Sequence, residues 1–417
     1  LQSQLRTRGS GPISSIFGLI LLTLLQTAML MGFLLSGVEE EYPSYVLGFC
    51  SVAICQWGLF LFYAVIHRSS FEVETLAFFL CTLGMAAIAT VKPGEILKQA
   101  AAMVLGVLTF LLIGWSLRDL ERAKRCRYLA VLLGVGFLVI TLLFGREYYG
   151  AKNWLVIGGL SLQPSELSKV CFVYAGASTM DRIMNKRNLI LFIAYSVVIC
   201  GLLALMNDFG TAMIFFCAFL IIAYLRSGSV GTIALACTAL GFAGVLAIRI
   251  APHALNRFAT WRHIWENPYS SGYQQTQAIM CIASGGLFGL GAGKGFLQKV
   301  FAADSDIVFA TISEEWGLLL ALLAVLAVAA LGFFAIRTSR MSRSSFYCIG
   351  GCTAAGILLI QAALNCLGTV DVLPFTGVTF PFLSNGGTSM IGAWGLLAFV
   401  KAADTRQNAS FAVRYTK

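Results

Sequence analysis

Residues 318–336 read LLLALLAVLAVAALGFFAI, an uncharged run long enough to cross a bilayer as one helix. The rest of the chain is similar, since 58% of its 417 residues are hydrophobic and only 12% are charged. A typical soluble domain has about 25% charged residues. Helices and closed barrels alone satisfy the backbone in hydrocarbon, and these runs lack the alternation of barrel strands. The sequence therefore predicts an all-α polytopic membrane protein.

We count about twelve apolar spans of this kind. Their centres lie near Leu25, Leu59, Leu80, Val107, Phe137, Val173, Ser196, Phe216, Leu240, Leu323, Ile357 and Ala393. Basic residues cluster at the N-terminus, in alternate connections and at the C-terminus, and so on one side: Arg6, Arg8, Arg68, Arg118, Arg122, Lys124, Arg125, Arg127, Arg182, Lys186, Arg187, Arg226, Arg337, Arg340, Arg343, Lys401, Arg406 and Arg414. Because Lys and Arg mark cytoplasmic loops, we expect both termini in the cytoplasm. The net charge of +10 is thus explained by membrane orientation rather than by nucleic acid.

Three segments on the opposite side are too polar, or too rich in Gly and Pro, to be plain connectors. They are 145–169 (GREYYGAKNWLVIGGLSLQPSELSK), 251–306 and 368–388 (GTVDVLPFTGVTFPFLSNGGT). Long loops in compact proteins are usually functional, and the aromatic residues in these segments indicate order. Residues 274–282 are a candidate helix lying in the membrane interface. We therefore expect a site facing away from the cytoplasm.

Ionisable residues at the ends of membrane spans are candidates for function, because they are costly there. Glu166 and Lys169 follow Pro164 and share a helix face, so an ion pair at a helix start is the alternative reading. Asp208, between two apolar runs, also fits a helix cap. Asp306 precedes what reads as one long apolar helix, and a cap is again the alternative. For the pair at 314–315 we favour a structural network, with Glu315 the more interior.

Other features carry less chemistry. The run SGGLFGLGAGKG (284–295) lacks the spacing of a phosphate-binding loop, and we read it as a flexible or closely packed segment with one cation, Lys294. The three histidines form no metal motif. Most of the twelve cysteines lie in apolar runs, where they are expected to act as small buried hydrophobes: Cys50, Cys55, Cys81, Cys200, Cys217 and Cys237.

Five motifs, in order along the chain, resemble those of the SEDS family, the FtsW, RodA and SpoVE group. They are GAKNWLVIGGLSLQPSELSK, NDFGTA, the string from NRFATWRHIWENPYSSGYQQ to SGGLFGLGAGKG, DSDIVFATISEEWG, and NCLGTVDVLPFTGVTFPFLSNGGTS. The resemblance covers about residue 71 to the C-terminus. It implies a SEDS-like core at 71–417, with 251–306 as its large extracytoplasmic loop. Residues 1–70 would then be an N-terminal extension with two additional transmembrane helices.

The resemblance implies a peptidoglycan glycosyltransferase that polymerises lipid II during division, elongation or sporulation. The family's catalytic aspartate falls on Asp306. Its other important polar positions fall on Glu166, Lys169, Asp208 and Glu315, which together with Arg257 would bind the substrate. Asp306 would take the proton of the attacking hydroxyl. Lys169 and Arg257, with Arg146 or Lys294 as further candidates, would hold the departing pyrophosphate.

The resemblance also implies partners and a location. The substrates would be lipid II and an undecaprenyl-pyrophosphate-linked glycan, and the protein partner a class B penicillin-binding protein, a transpeptidase. The site would lie on the extracytoplasmic side of the cell membrane, among membrane lipids and without nucleic acid. No cofactor is assigned, and a divalent cation, Mg²⁺ or Mn²⁺, is left open. Asn153, Asn207, Ile307 and Asn385 depart from the family motifs.

Two other functions are compatible with a bundle carrying these charges. One is a flippase or transporter of lipid II or a related polyprenyl-linked sugar, although the polar sequence gathers on one side rather than at the midplane. The other is a non-catalytic scaffold for cell-wall assembly. Formation of glycan strands from lipid II distinguishes the polymerase from both.

Overall fold

The computed structural model describes residues 12–36, 39–148, 150–158, 160–180, 186–231, 234, 237–238, 241, 257–342, 344–406, 409 and 411. Within these ranges, nine helices are long and apolar enough to cross a membrane. The spans expected near Val173 and Ala393 are helices of 17 and 16 residues, shorter than the ~20 of a full crossing. The span expected near Leu240 lies outside the described residues. The polytopic helical fold is confirmed, and the count of twelve stays a prediction.

The α-helices are α1 (Pro12–Ser36), α2 (Tyr42–Val65), α3 (Glu72–Val91), α4 (Ile96–Leu117), α5 (Leu120–Arg125), α6 (Arg127–Phe144), α7 (Pro164–Met180), α8 (Lys186–Leu205), α9 (Phe209–Ser227), α10 (Tyr273–Gly285), α11 (Val308–Trp316), α12 (Leu318–Ser339), α13 (Ser345–Thr369) and α14 (Gly387–Ala402). Short 3₁₀ turns lie at Glu39–Glu41, Pro93–Glu95, Ile264–Glu266 and Leu297–Lys299. The strands are β1 (Arg146–Tyr148), β2 (Ala151–Ile157) and β3 (Leu160–Leu162).

The strands form a small antiparallel sheet in the order β1-β2-β3, which the sequence analysis did not anticipate. The sheet occupies most of the polar segment 145–169, and the backbone N–H of Lys152 donates to the Met206 carbonyl at 2.9 Å. It is thereby attached to the turn between α8 and α9. The candidate helix at 274–282 is present as part of α10, and its location in the membrane interface stays a prediction.

Close packing of small against large residues holds the bundle, as expected where lipid removes the hydrophobic drive between helices. Trp394 of α14 is fully buried against α4. A Cβ at Gly106 would come within 2.6 Å of its ring, so the helices could not approach this closely with a larger residue. Phe78 and Phe110 complete the ring cluster around Trp394.

A break at Gly317 separates α11 from α12, so the expected single long helix after Asp306 is wrong. Gly317 has φ of 88°, and a Cβ there would lie 2.2 Å from the Leu287 carbonyl oxygen. Only glycine suits both conditions. The segment 284–295 wraps this break, and the N–H groups of Leu290 and Gly291 donate to the carbonyls of Glu314 and Glu315. From the sequence, residues 284–295 were expected to be either flexible or closely packed, and the structure shows them closely packed.

The hairpin of α1 and α2 is joined to α3 by amide and hydroxyl groups within the membrane. The Gln26 amide donates to Gln56 and to Thr82, both at 3.0 Å, and Gln56 donates to Thr23 at 2.9 Å. At its end, the Ser36 hydroxyl donates to the Ala292 carbonyl at 2.7 Å. The N-terminal helices therefore contact the same glycine-rich segment that wraps the break at 317.

The cysteines are all free thiols. Of those expected to be buried, Cys81 is buried, whereas Cys50 and Cys237 are exposed on the outer surface of the bundle. The expectation was wrong for these two because a small apolar side chain is equally compatible with a lipid-facing position.

Candidate functional site

Asp306 lies in a tight turn immediately before α11. The Ala302 carbonyl accepts the backbone N–H groups of Ser305 and Asp306, at 3.1 and 3.0 Å. The N-cap of α11 is Ile307 and makes no side-chain cap bond. Asp306 is therefore not a helix cap, and its carboxylate is available for another role.

The segment after α13 covers this carboxylate. Gly377 has φ of 66°, and a Cβ there would stand 3.2 Å from Asp306 Oδ2. Asn365 Nδ2 donates to the backbone carbonyls of Asp306 and Val378, at 2.9 and 2.8 Å. The buried Asn365 thus holds the covering segment and the aspartate turn together.

The electrostatic setting of Asp306 favours its protonated form. Burial, which disfavours the charged carboxylate, raises its pKa to about 6. The neighbouring Asp304 adds to the rise. A hydrogen bond from Ser305 and the charges of Arg257 and Lys92 oppose it, so the pKa stays near the working range of a general base.

Two cations lie beside this carboxylate. The exposed Arg257 donates from Nη1 to the Thr376 carbonyl at 3.1 Å, which holds its guanidinium next to Gly377. Lys92, at the end of α3, pairs with Asp304 at 3.1 Å and remains about half exposed. Lys92 was not among the site residues predicted from the sequence. Its position as an ionisable residue at the end of a span was the available signal.

Asn385 connects three elements around Asp304. Its Nδ2 donates to Glu95 Oε2 and to Asp304 Oδ2, both at 2.7 Å, and its backbone N–H donates to the Asp304 carbonyl at 2.8 Å. This residue departs from the family motif, and it supplies hydrogen bonds to two carboxylates. Asp304 is thereby held between Lys92 and Asn385 beside the candidate base.

Glu166 and Lys169 form a buried ion pair of 2.8 Å at the start of α7. The alternative reading of a helix-start pair is thus confirmed in geometry, and Lys169 is only 1% exposed. The Gln163 N–H donates to Thr388 Oγ1, which places this helix start against the beginning of α14. A phosphate-holding role for Lys169 stays a prediction.

Asp208 is the N-cap of α9, accepting the Thr211 N–H at 3.1 Å, as the cap reading expected. Its other oxygen accepts from Asn153 Nδ2 at 3.1 Å, so this second departure from the family motif joins the sheet to α9. A Cβ at Gly210 would lie 3.3 Å from the Thr376 carbonyl oxygen. The start of α9 therefore packs against the backbone that holds Arg257.

Asn207 is a third departure, because the family motif has proline there. Its φ is 57°, whereas a proline ring holds φ near −65°. Asparagine tolerates this left-handed conformation, so the turn into α9 accepts asparagine at position 207 and would not accept proline. Ile307, the fourth departure, is fully buried as the N-cap residue of α11.

Glu314 and Glu315 form the expected structural network. Glu314 accepts the N–H groups of Phe296 and Leu297, at 2.8 and 3.0 Å. Glu315 accepts from the Thr90 hydroxyl at 2.6 Å and from the Gly295 N–H at 3.3 Å. The expectation that Glu315 is the more interior is wrong, because the glycine-rich segment encloses both, at 1% and 2% exposure. Burial raises the pKa of Glu315 to about 7.

No three His, Cys, Asp or Glu side chains in the described part of the chain converge as metal ligands. We therefore assign no residue to a divalent cation. The structure instead brings Asp306, Arg257 and the start of α9, which Asp208 caps, around residues 376–378. Glu166 and Lys169 lie at the start of α7, which packs against α14. Glu315 lies at the break after α11, in a separate network.

Comparison with known proteins identifies the family of this chain. The family model FTSW_RODA_SPOVE, described as cell cycle protein, matches residues 49–409. The peptidoglycan glycosyltransferase RodA of Mycobacterium tuberculosis is 30% identical over 73% of this chain and 69% of its own length. The probable peptidoglycan glycosyltransferase FtsW of Bacillus subtilis is 30% identical over 87% of this chain and 92% of its own length.

Solved structures show the same fold. The rod shape determining protein RodA of Thermus thermophilus has a TM-score of 0.60 at 22% identity, covering 81% of this chain and 97% of that one. A chain of a peptidoglycan synthase complex that coordinates polymerization and crosslinking has a TM-score of 0.67 at 24% identity, over 79% and 96% of the two chains. This chain belongs to the FtsW/RodA/SpoVE family of cell cycle proteins.

Proposed function

We propose that this multi-pass membrane protein is a peptidoglycan glycosyltransferase that polymerises lipid II, with Asp306 as its base. The observation that carries the proposal is the packing of Asp306 beneath Gly377 and beside Arg257, with a pKa near 6. Relatives at 30% identity over most of the chain are named peptidoglycan glycosyltransferases. The proposed location is the outer face of the cytoplasmic membrane, with both termini cytoplasmic.

The reaction joins two lipid-linked glycans. The 4-hydroxyl oxygen of the acceptor GlcNAc forms a bond to the anomeric carbon of the growing chain, and Asp306 takes the hydroxyl proton. The bond from that carbon to undecaprenyl pyrophosphate breaks, and its electron pair leaves with the pyrophosphate. A carboxylate with a pKa near 6 is ionised at neutral pH and still basic enough to accept a proton.

Cations on the same side stabilise the leaving group. Arg257 is exposed and held by Thr376, so its remaining N–H groups can bond a phosphate. Lys92 keeps about half of its side chain exposed beside Asp304 and is the second candidate. Lys169, enclosed with Glu166, would require opening of that pair before it reached a phosphate.

Assembly with a class B penicillin-binding protein is part of the proposal. The solved peptidoglycan synthase complex, whose chain shares this fold, coordinates polymerization with crosslinking. A polymerase that releases strands on one face requires a crosslinking enzyme on that same face.

Product analysis tests the proposed function. The purified chain, with its transpeptidase partner, is given lipid II in detergent, and the products are separated by length. Glycan strands of many disaccharides are expected. Translocation of lipid II across vesicles without polymer would instead identify a flippase, and neither product would identify a scaffold.

A further inference from the structure

A cavity of about 500 Å³ opens at the far end of α4, away from Asp306. This volume lies within the ~300–1,000 Å³ of small-molecule sites. Its lining includes Trp115, Arg118, Asp119, Arg122, Ser344 and Tyr347. They come from the end of α4, from α5 and from the start of α13. The proposed reaction uses none of them.

The cavity lies at the membrane boundary. Trp115 is in the last turn of the membrane span 93–117 and is 62% exposed, the position where tryptophan anchors helices at the interface. Arg118 and Arg122 follow it, three and seven residues later. The sequence 118–127 holds five basic residues, which is typical of segments that attract anionic lipids at about 1 kcal/mol each.

Several polar groups that line the cavity have hydrogen-bond donors without a partner among the described residues. Arg122 stacks on the Trp115 ring at 3.8 Å and donates from Nη1 to the Trp115 carbonyl at 3.0 Å, which leaves other N–H groups free to donate. Arg118 is exposed, and its guanidinium has no hydrogen bond or ion pair with any described residue. The Ser344 hydroxyl is buried without a partner among the described groups.

The other two lining groups are already engaged. Asp119 Oδ1 accepts the Glu121 N–H at the start of α5. The Tyr347 hydroxyl donates to the Leu117 carbonyl at 2.7 Å and fixes α13 against the end of α4. Besides the Asp119 carboxylate, the polar groups that line the cavity and keep donors without a partner are two guanidinium groups and a hydroxyl. That donor set suits the oxygens of a phosphate.

We propose that this cavity binds the phosphate of an anionic membrane-lipid headgroup. Arg118 and Arg122 bond the phosphate oxygens, Ser344 donates to a third oxygen, and the acyl chains lie along the apolar surface of α4 beyond Trp115. Bound lipid would link the end of α4 to the start of α13, on the side of the bundle away from Asp306. The site is independent of the proposed function.

Thermal unfolding of the full chain in nanodiscs tests this site. The probes are phosphatidylglycerol and phosphatidylcholine nanodiscs, and the readout is the difference in Tm between them. Wild type is expected to have the higher Tm in phosphatidylglycerol. Arg118→Gln and Ser344→Ala should each lose more than half of that difference. Neither side chain has a partner among the described residues, so both variants are expected to fold.

Arg125→Gln is the matched control, because it removes one exposed charge from the adjacent α5 at a position that does not line the cavity. It should keep the full difference. An equal loss in Arg125→Gln and Arg118→Gln would mean a general surface-charge effect and would overturn the proposal. Glycerol phosphate that raises Tm in phosphatidylcholine nanodiscs as much as the anionic lipid does would assign the site to a soluble phosphate instead.

Discussion

Gly377 and Asp306 are 71 residues apart in the sequence and lie so close together that a Cβ on residue 377 would stand 3.2 Å from Asp306 Oδ2. The glycine also has φ of 66°, which side chains rarely adopt. One residue therefore satisfies two requirements at once, a left-handed turn and room for the carboxylate.

Gly377→Ala should lower the rate of glycan polymerisation by more than its loss of stability can explain. The alanine is strained by about 1–2 kcal/mol in the left-handed region and also presses on the carboxylate. Gly228→Ala is the matched control, since Gly228 has φ of 63° in open space. Both variants should show a similar fall in Tm, with activity lost in Gly377→Ala alone. Equal activity in the two would remove the proposed contact from the mechanism.

Arg257→Gln should shift the pH profile of kcat/KM to higher pH. The positive charge of Arg257 lowers the pKa of Asp306, so its removal raises that pKa above its present value of about 6. The rising limb of the profile should then begin at higher pH. Arg262→Gln, a nearby exposed arginine that does not shift this pKa, is the control. A profile unchanged in position would show that Arg257 does not act on the base.

Asp306→Asn should stabilise the fold at neutral pH. The folded-state pKa of about 6 lies above the ~3.9 of an unfolded aspartate, so folding favours the protonated carboxyl. Its contribution to stability is complete below about pH 4 and is lost as pH rises through about 6. The neutral asparagine escapes that loss. Its Tm should match wild type near pH 4 and exceed it above pH 6, and a variant less stable at both would contradict the assigned pKa.

Gln26→Leu should loosen the N-terminal hairpin from α3. The substitution removes two hydrogen bonds within the membrane, which are worth about 0.6–2 kcal/mol each. A lower Tm is expected. Thr109→Val serves as the control, because the exposed Thr109 hydroxyl bonds only to its own helix, at the Leu105 carbonyl. If both variants lower Tm by the same amount, the Gln26 hydrogen bonds stabilise the packing of the hairpin on α3 no more than a bond within a single helix does.

The sequence predicted what depends on local spacing. The pair Glu166–Lys169, three residues apart, and the cap at Asp208 were both foreseen as alternatives, because helix geometry alone brings such groups together. Apolar runs predicted the helices, since lipid leaves few other backbone solutions.

Contacts between distant segments could not be predicted in the same way. Lys92 and Asp304 are 212 residues apart, and Asn385 and Asp304 are 81 apart. Nothing in one sequence indicates that these groups meet, because their proximity follows from how the helices pack. The break at Gly317 was missed for a related reason. The N–H groups of Leu318 and Leu319, which follow the break, donate to the carbonyls of Gly286 and Leu287, and these come from another segment.

Polymerisation of lipid II by purified Asp306→Asn protein tests the central claim most directly. The assay compares wild type, Asp306→Asn and Glu266→Gln with the transpeptidase partner present. Glu266 is an exposed carboxylate of the polar segment 251–306, and it pairs with His263. Loss of a general base predicts a rate about 10²–10⁴-fold lower for Asp306→Asn, with Glu266→Gln unchanged. Polymer formed by folded Asp306→Asn at the wild-type rate would contradict the assignment of Asp306 as the base.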